Sequence, residues 1–167
     1  MLFRSTKYHA KYIVADCGQA MVASLNLTRK CFDQTCDFVA LTGDLPVVTS
    51  LLRLFEHDWN QINGLPAELN PRLIVGPQQG RTQLTRLLES ARRHIRMTDH
   101  RLSDPRVLKV LRLQQDSGVS VEVLGDGAFP GLIPHGRMFL VDDAIAVIGS
   151  FALTPPSLDD RDRKSVV

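Results

Sequence analysis

Five residues near the start of the chain have the types and spacing to handle a phosphate group. His9, Lys11 and Asp16 fall in the order His-Ala-Lys, four residues, Asp, and Ser24-Leu25-Asn26 follows. An imidazole can attack phosphorus or deliver a proton near neutral pH. An ammonium group neutralises phosphate oxygens, and a hydroxyl and an amide add hydrogen bonds. The same order returns at His135, Arg137, Asp142, Ser150 and Ala152, each 126 positions later (135 − 9). Two copies in register are an internal repeat, which takes precedence over any reading residue by residue.

Strands must position these groups. Residues 8–15 and 20–26 are rich in β-branched and apolar side chains around Cys17-Gly18, which reads as a β-hairpin with a two-residue loop. That loop sets Lys11 opposite Ser24 and His9 opposite Asn26, so the four polar groups share one face. In the second copy, a loop at Asp143-Ala144 sets Arg137 opposite Ser150 and His135 opposite Ala152. Asp16 and Asp142 begin the turns. Their residue type suits either turn formation or support of a histidine.

The pattern HxKxxxxD followed by GSxN resembles the duplicated signature of the phospholipase D superfamily. The first copy matches at His9, Lys11, Asp16, Ser24 and Asn26, with Ala23 in the place of the usual glycine. The second matches at His135, Asp142, Gly149 and Ser150, and departs at Arg137 and Ala152. The resemblance implies an α/β fold, a layered sandwich in which two pseudo-repeats around mixed β-sheets flanked by helices share one active site. It also implies a phosphodiesterase acting on phospholipids, by hydrolysis or phosphatidyl transfer, through a phosphohistidine. A nuclease of the same family and a non-catalytic phosphate-binding module are the alternatives. On this reading His9 is the nucleophile and His135 the acid, with the order not fixed by sequence. Lys11, Arg137, Ser24, Asn26 and Ser150 bind phosphate. Asp37 and, across an alignment gap, Asp162 are candidate histidine-orienting acids. No cofactor and no metal are called for; a zinc site from Cys31-x4-Cys36 plus His9 is the minor alternative, set against the tetrahedral-site patterns.

Arginine in place of lysine keeps the charge but presents a larger planar fork. Ala152 removes a donor, a change that typically costs about 2.7–4 kcal/mol of transition-state stabilisation.

The chain has 167 residues, 44% hydrophobic and 23% charged, with a net charge of +2. This composition is that of an ordinary globular protein, and the mild basicity suits an anionic substrate. No apolar run reaches the ~18 residues of a membrane span, and no signal peptide precedes Arg4 and Lys7. Three cysteines read as reduced and structural. The expected location is cytoplasmic or peripheral to the membrane.

Helices are expected over 45–59, 82–95 and 105–115, with Ser103 capping the last. Strands are expected over 36–41, 73–75, 95–98 and 119–124. Val47, Leu51, Leu52, Phe55 and Trp59 are expected to face the core together. Residues 1–60 form the C-terminal part of a first repeat, 61–71 a linker, and 72–167 a second repeat. The second unit has a strand-helix-strand-helix-strand run before its hairpin, and only eight residues precede His9. A homodimer or a further N-terminal segment would complete the first repeat.

Overall fold

The computed structural model describes residues 7–77, 79–125, 127–162 and 164–167, apart from the side chains of Lys7, Arg161 and Asp162. The first part runs β1 (Lys7–Tyr8), β2 (Tyr12–Ala15), β3 (Gln19–Ala23), α1 (Arg29–Asp33), β4 (Thr35–Cys36), β5 (Val39–Thr42) and α2 (Leu45–Trp59). There follow β6 (Leu73–Val75), α3 (Gly80–Glu89), β7 (His94–Thr98), α4 (Pro105–Asp116) and β8 (Ser120–Leu124). The chain ends with β9 (Ile133–Pro134), β10 (Met138–Val141), β11 (Ile145–Gly149), α5 (Pro155–Asp159), β12 (Arg161–Asp162) and β13 (Lys164–Val166). Strands interleaved with helices give the expected mixed α/β layers.

The repeat in the sequence is a repeat in the backbone. Tyr12 pairs with Val22, and Met138 with Ile148. Ala23 pairs with Val39, and Gly149 with Ser165. Each pair is its counterpart moved by 126 positions, and α1 and α5 obey the same shift. In both hairpins the register differs by one residue from the two-residue loop read in the sequence. Asp16-Cys17-Gly18 forms a three-residue loop, closed by the Gly18 amide donating to the Ala15 carbonyl at 3.1 Å, with Gly18 at φ +76°. A left-handed third residue makes that loop favourable. The slip sets Lys11 opposite Ala23 rather than Ser24, and so moves Ser24 to the other face.

Two short parallel pairings cross between the copies. β1 pairs with β12, and β9 pairs with β4. Since β9 is β1 moved by 126 positions and β12 is β4 so moved, the exchange is reciprocal, as a pseudo-two-fold requires. The strand leading into each motif histidine is held by the opposite copy.

The second copy is the better covered. Its strands lie in a six-stranded sheet, β6-β13-β11-β10-β7-β8, and Phe139, Val141 and Val147 pack beneath α3 and α4. Their counterparts Ile13, Ala15 and Met21 lie in a three-stranded sheet, where Ile13 is 50% exposed against 2% for Phe139. Helix α3 ends at Glu89, not residue 95, because the chain turns to let His94 start β7. Asp104 rather than Ser103 caps α4, accepting from the amides of Arg106 and Val107 at 3.1 Å. Arg81 of α3 binds both Asp104 and Asp159 at 2.7 Å, which ties three helices together and raises its pKa. In α2, Val47 and Leu51 are buried as expected. Leu52, Phe55 and Trp59 instead lie on the outer side, Trp59 at 76% exposure.

Phe139→Ala is expected to cost about 3–5 kcal/mol as a cavity in the core. Ile13→Ala, at the matching position, should cost about 1 kcal/mol or less. Urea denaturation of both variants reads the difference, and equal losses would refute the unequal covering of the two copies. A second expectation concerns Asp142. Its carboxylate accepts from the amides of His94, Arg93 and Arg92, and these bonds hold its pKa below the usual carboxylate range. A depressed folded-state pKa contributes stability that is present above the unfolded value of about 3.9 and lost as pH falls through the folded one. Asp142→Asn should therefore be less stable than wild type at neutral pH, with the gap closing below pH ~4. A gap independent of pH in thermal melts from pH 3 to 7 would count against this account.

Candidate active site

Just after β9, His135 is set by the strand exchange. The chain turns over β4, the amides of His135 and Gly136 donating to the Cys36 carbonyl at 3.3 and 2.7 Å. Glycine is needed there, since an added Cβ at Gly136 would lie 2.7 Å from the Asp37 Cα. The approach brings His135 Nδ1 to 2.9 and 3.0 Å from the two Asp37 carboxylate oxygens. Asp37 is nearly buried, and its remaining lone pairs accept from Ser24 Oγ at 2.7 Å and Thr35 Oγ1 at 2.6 Å. A carboxylate accepting from Nδ1–H leaves Nε2 as the outward-facing nitrogen of the ring.

His9 lies in a pocket of about 550 Å³ with Lys11, Asn26 and the apolar side chains of Leu25, Leu27 and Phe55. Lys11 Nζ is 2.7 Å from His9 Nδ1 and donates to the His9 carbonyl at 3.0 Å. An ammonium can only donate, so in this contact Nδ1 is the acceptor.

The remaining candidates divide. Arg137 is 5% exposed, with Nε 3.7 Å from Asp99 and no hydrogen-bond partner on Nε among the described residues. Burial lowers the Arg137 pKa, and Asp99 opposes that. Ser24 and Ser150 are buried and do not face the pocket. Ser24 accepts from the Phe38 amide at 2.9 Å, and Ser150 from the Lys164 amide at 3.1 Å, the same bond in each copy. Ala152 is buried, its amide donating to Ser157. Asp16 and Asp142 stand at the starts of the hairpin turns, where the sequence puts them. Both sit in the hairpin loops, seven residues from their histidines and roughly 20 Å along an extended chain. Asp142 instead clamps the start of β7. The side chain of Asp162 lies outside the described residues. The 126-position shift sets position 163, not 162, against Asp37, with no gap.

Two site residues escaped the sequence reading. Asp99, at the end of β7, is 3% exposed and accepts from the Leu153 amide at 2.5 Å and the Arg101 amide at 3.0 Å. His100 follows it, its ring centroid 6.4 Å from that of His135. Its pKa is lowered by burial, then by Arg137 and Arg101. Polar residues directly after an apolar strand were the available signal. Cys31 lies beside Asp37 and His135. Burial raises its pKa, but hydrogen bonds from Thr28, the Asn26 backbone and Thr35 outweigh that and leave it below the ordinary value.

No family model matches the chain, and no curated protein matches it. Among solved structures it is similar to a polyphosphate kinase from Porphyromonas gingivalis, at 17% identity and a TM-score of 0.80. That match covers 98% of this chain and 31% of the kinase, so the chain spans about a third of its length. It is also similar to Nuc from Salmonella typhimurium, a phospholipase D family member. Here the identity is 19% and the TM-score 0.51, over 56% of this chain and 78% of that one. The duplicated hairpins and their reciprocal strand exchange, with these likenesses, show a mixed α/β fold that this chain shares with the kinase and with the phospholipase D family member Nuc.

Proposed function

We propose that the chain carries the site of a phospholipase D-type phosphodiesterase that works through a phosphohistidine. The observation that carries this reading is the exchange that holds each motif histidine on the opposite copy, with His135 anchored by Asp37. A ring-nitrogen lone pair of His9 attacks phosphorus. A P–N bond forms as the P–O bond to the leaving group breaks, and the leaving oxygen takes the Nε2 proton of the His135 imidazolium. Asp37 stabilises the charge on that ring. Water then attacks phosphorus, gives a proton to His135, and breaks the P–N bond. The net change is hydrolysis of a diester to a monoester and an alcohol. Lys11 moves its hydrogen bond from His9 to a phosphate oxygen. Asn26, which lines the same pocket, adds another. Fixed charge of this kind is usually the largest catalytic contribution.

A phospholipid head group is the substrate we favour. Leu25, Leu27 and Phe55 give the His9 pocket an apolar rim, and Phe55 stacks on Trp59 at 5.8 Å, continuing that rim over the surface. Acyl chains or a bilayer surface suit such a face. Nucleic acid is the second reading, favoured by the same exposed ring pair, since bases stack on aromatic platforms.

A panel of bis-p-nitrophenyl phosphate, phosphatidylcholine, phosphatidylglycerol and DNA, assayed with chelator, tests the activity. His9→Ala should abolish turnover, with mass spectrometry locating the wild-type adduct on His9. His135→Ala should spare p-nitrophenyl esters far more than alkyl esters, because a good leaving group needs little protonation. An adduct on His135 would reverse the roles, and silence of wild type on every ester would favour the binding module. Trp59 is the single tryptophan, so its fluorescence reports on the substrate face directly. Phosphatidylglycerol vesicles should shift its emission to the blue, and Phe55→Ala should weaken vesicle binding. Quenching by single-stranded DNA without any vesicle effect would select the nucleic acid reading.

A further inference from the structure

Cys31, Asp37 and His135 each offer a ligand atom, and these three atoms lie within 4.8 Å of one another. Cys31 stands on α1, Asp37 just after β4, and His135 just after β9. Cys31 and Asp37 lie six positions apart, and the β4–β9 pairing brings His135 to them from 98 positions beyond Asp37. Further contacts hold each in place. The Cys31 amide donates to the Thr28 carbonyl at 2.9 Å, the Asp37 carboxylate is held by Ser24 and Thr35, and the His135 backbone is held by Cys36.

We propose that these three side chains form a binding site for one soft divalent cation, such as Zn²⁺ or Cd²⁺, and that its binding silences His135. A thiolate, an imidazole and a carboxylate together suit zinc-like ions and not the all-oxygen preference of Mg²⁺ or Ca²⁺. With bonds of about 2.0–2.3 Å, a tetrahedral zinc ion sets its ligand atoms roughly 3.3–3.6 Å apart. The Nδ1 to carboxylate separations of 2.9 and 3.0 Å need to open only slightly. Cys31 Sγ must close in, and a turn about χ1 on this short exposed helix supplies that movement. Water completes the fourth position. The protons on Nδ1 and Sγ leave to solvent as the ion enters. The ion takes the place of the Asp37–His135 hydrogen bond, so the ring loses the contact that orients it. Only this last consequence rests on the proposed phosphodiesterase, and the binding itself does not.

The decisive measurement uses Co²⁺ as the probe and needs no activity. Titration of the wild-type protein should give a near-ultraviolet thiolate-to-cobalt charge-transfer band saturating at one ion per chain. Cys31→Ser should lose the band and bind Zn²⁺ at least about tenfold more weakly in competition with a chromophoric chelator. Cys17→Ser and Cys36→Ser should keep both. Asp37→Asn should weaken Zn²⁺ binding as well, and circular dichroism of each variant confirms that it is folded. A band that survives Cys31→Ser, or one lost only with Cys17 or Cys36, would overturn the site. In the phosphodiesterase assay, Zn²⁺ should inhibit wild type and leave Cys31→Ser, with unchanged basal turnover, uninhibited. Saturation with Zn²⁺ without inhibition would overturn the silencing and leave the cobalt result to decide the site.

Discussion

The arrangement depends on two pairings of two residues each, β1 with β12 and β9 with β4. Neither is long enough to be stable alone, since an isolated two-stranded ribbon is marginal even when longer. They persist because the sheets behind them are packed into shared cores. Leu73, Val75 and Val166 join Ala20, Val22 and the buried side of α2 in one cluster. What the pairings do is geometric. Each carries the backbone that enters a motif histidine across to the other copy, so the surroundings of one ring are built by the other half. Asp37 in the first copy therefore orients His135 in the second, 98 positions away.

The two half-sites have diverged around this common frame. The first keeps lysine and asparagine in an open pocket beside an apolar rim. The second buries Arg137 against Asp99, and has Ala152 where a donor would be. The serines play the same part in both, bridging β3 to the approach of β5 and β11 to β13 through paired amide and carbonyl contacts. Their place in the motif reflects the need to fix the strand that follows. In the first copy, that strand's approach carries Asp37. Ser24 is thus linked to His135 through the Asp37 carboxylate.

The sequence by itself determined the repeat, its 126-position shift, the helix over Leu45–Trp59 and the strand over Leu73–Val75, because these rest on local periodicity and on residue types at fixed spacing. It also singled out Asp37. Loop length was beyond it, because a left-handed glycine fits a two-residue and a three-residue hairpin alike, and one residue of register turned Ser24 from the pocket to the Asp37 carboxylate. So was the inner side of α2, because apolar residues on two adjoining stripes satisfy helical spacing whichever stripe meets a sheet. Tertiary structure alone decided the meeting of His100 with His135 and of Cys31 and Asp37 with His135. The first rests on the pairing of β7 with β10 and the second on that of β4 with β9, and no spacing along a sequence encodes a contact made between strands far apart in the chain.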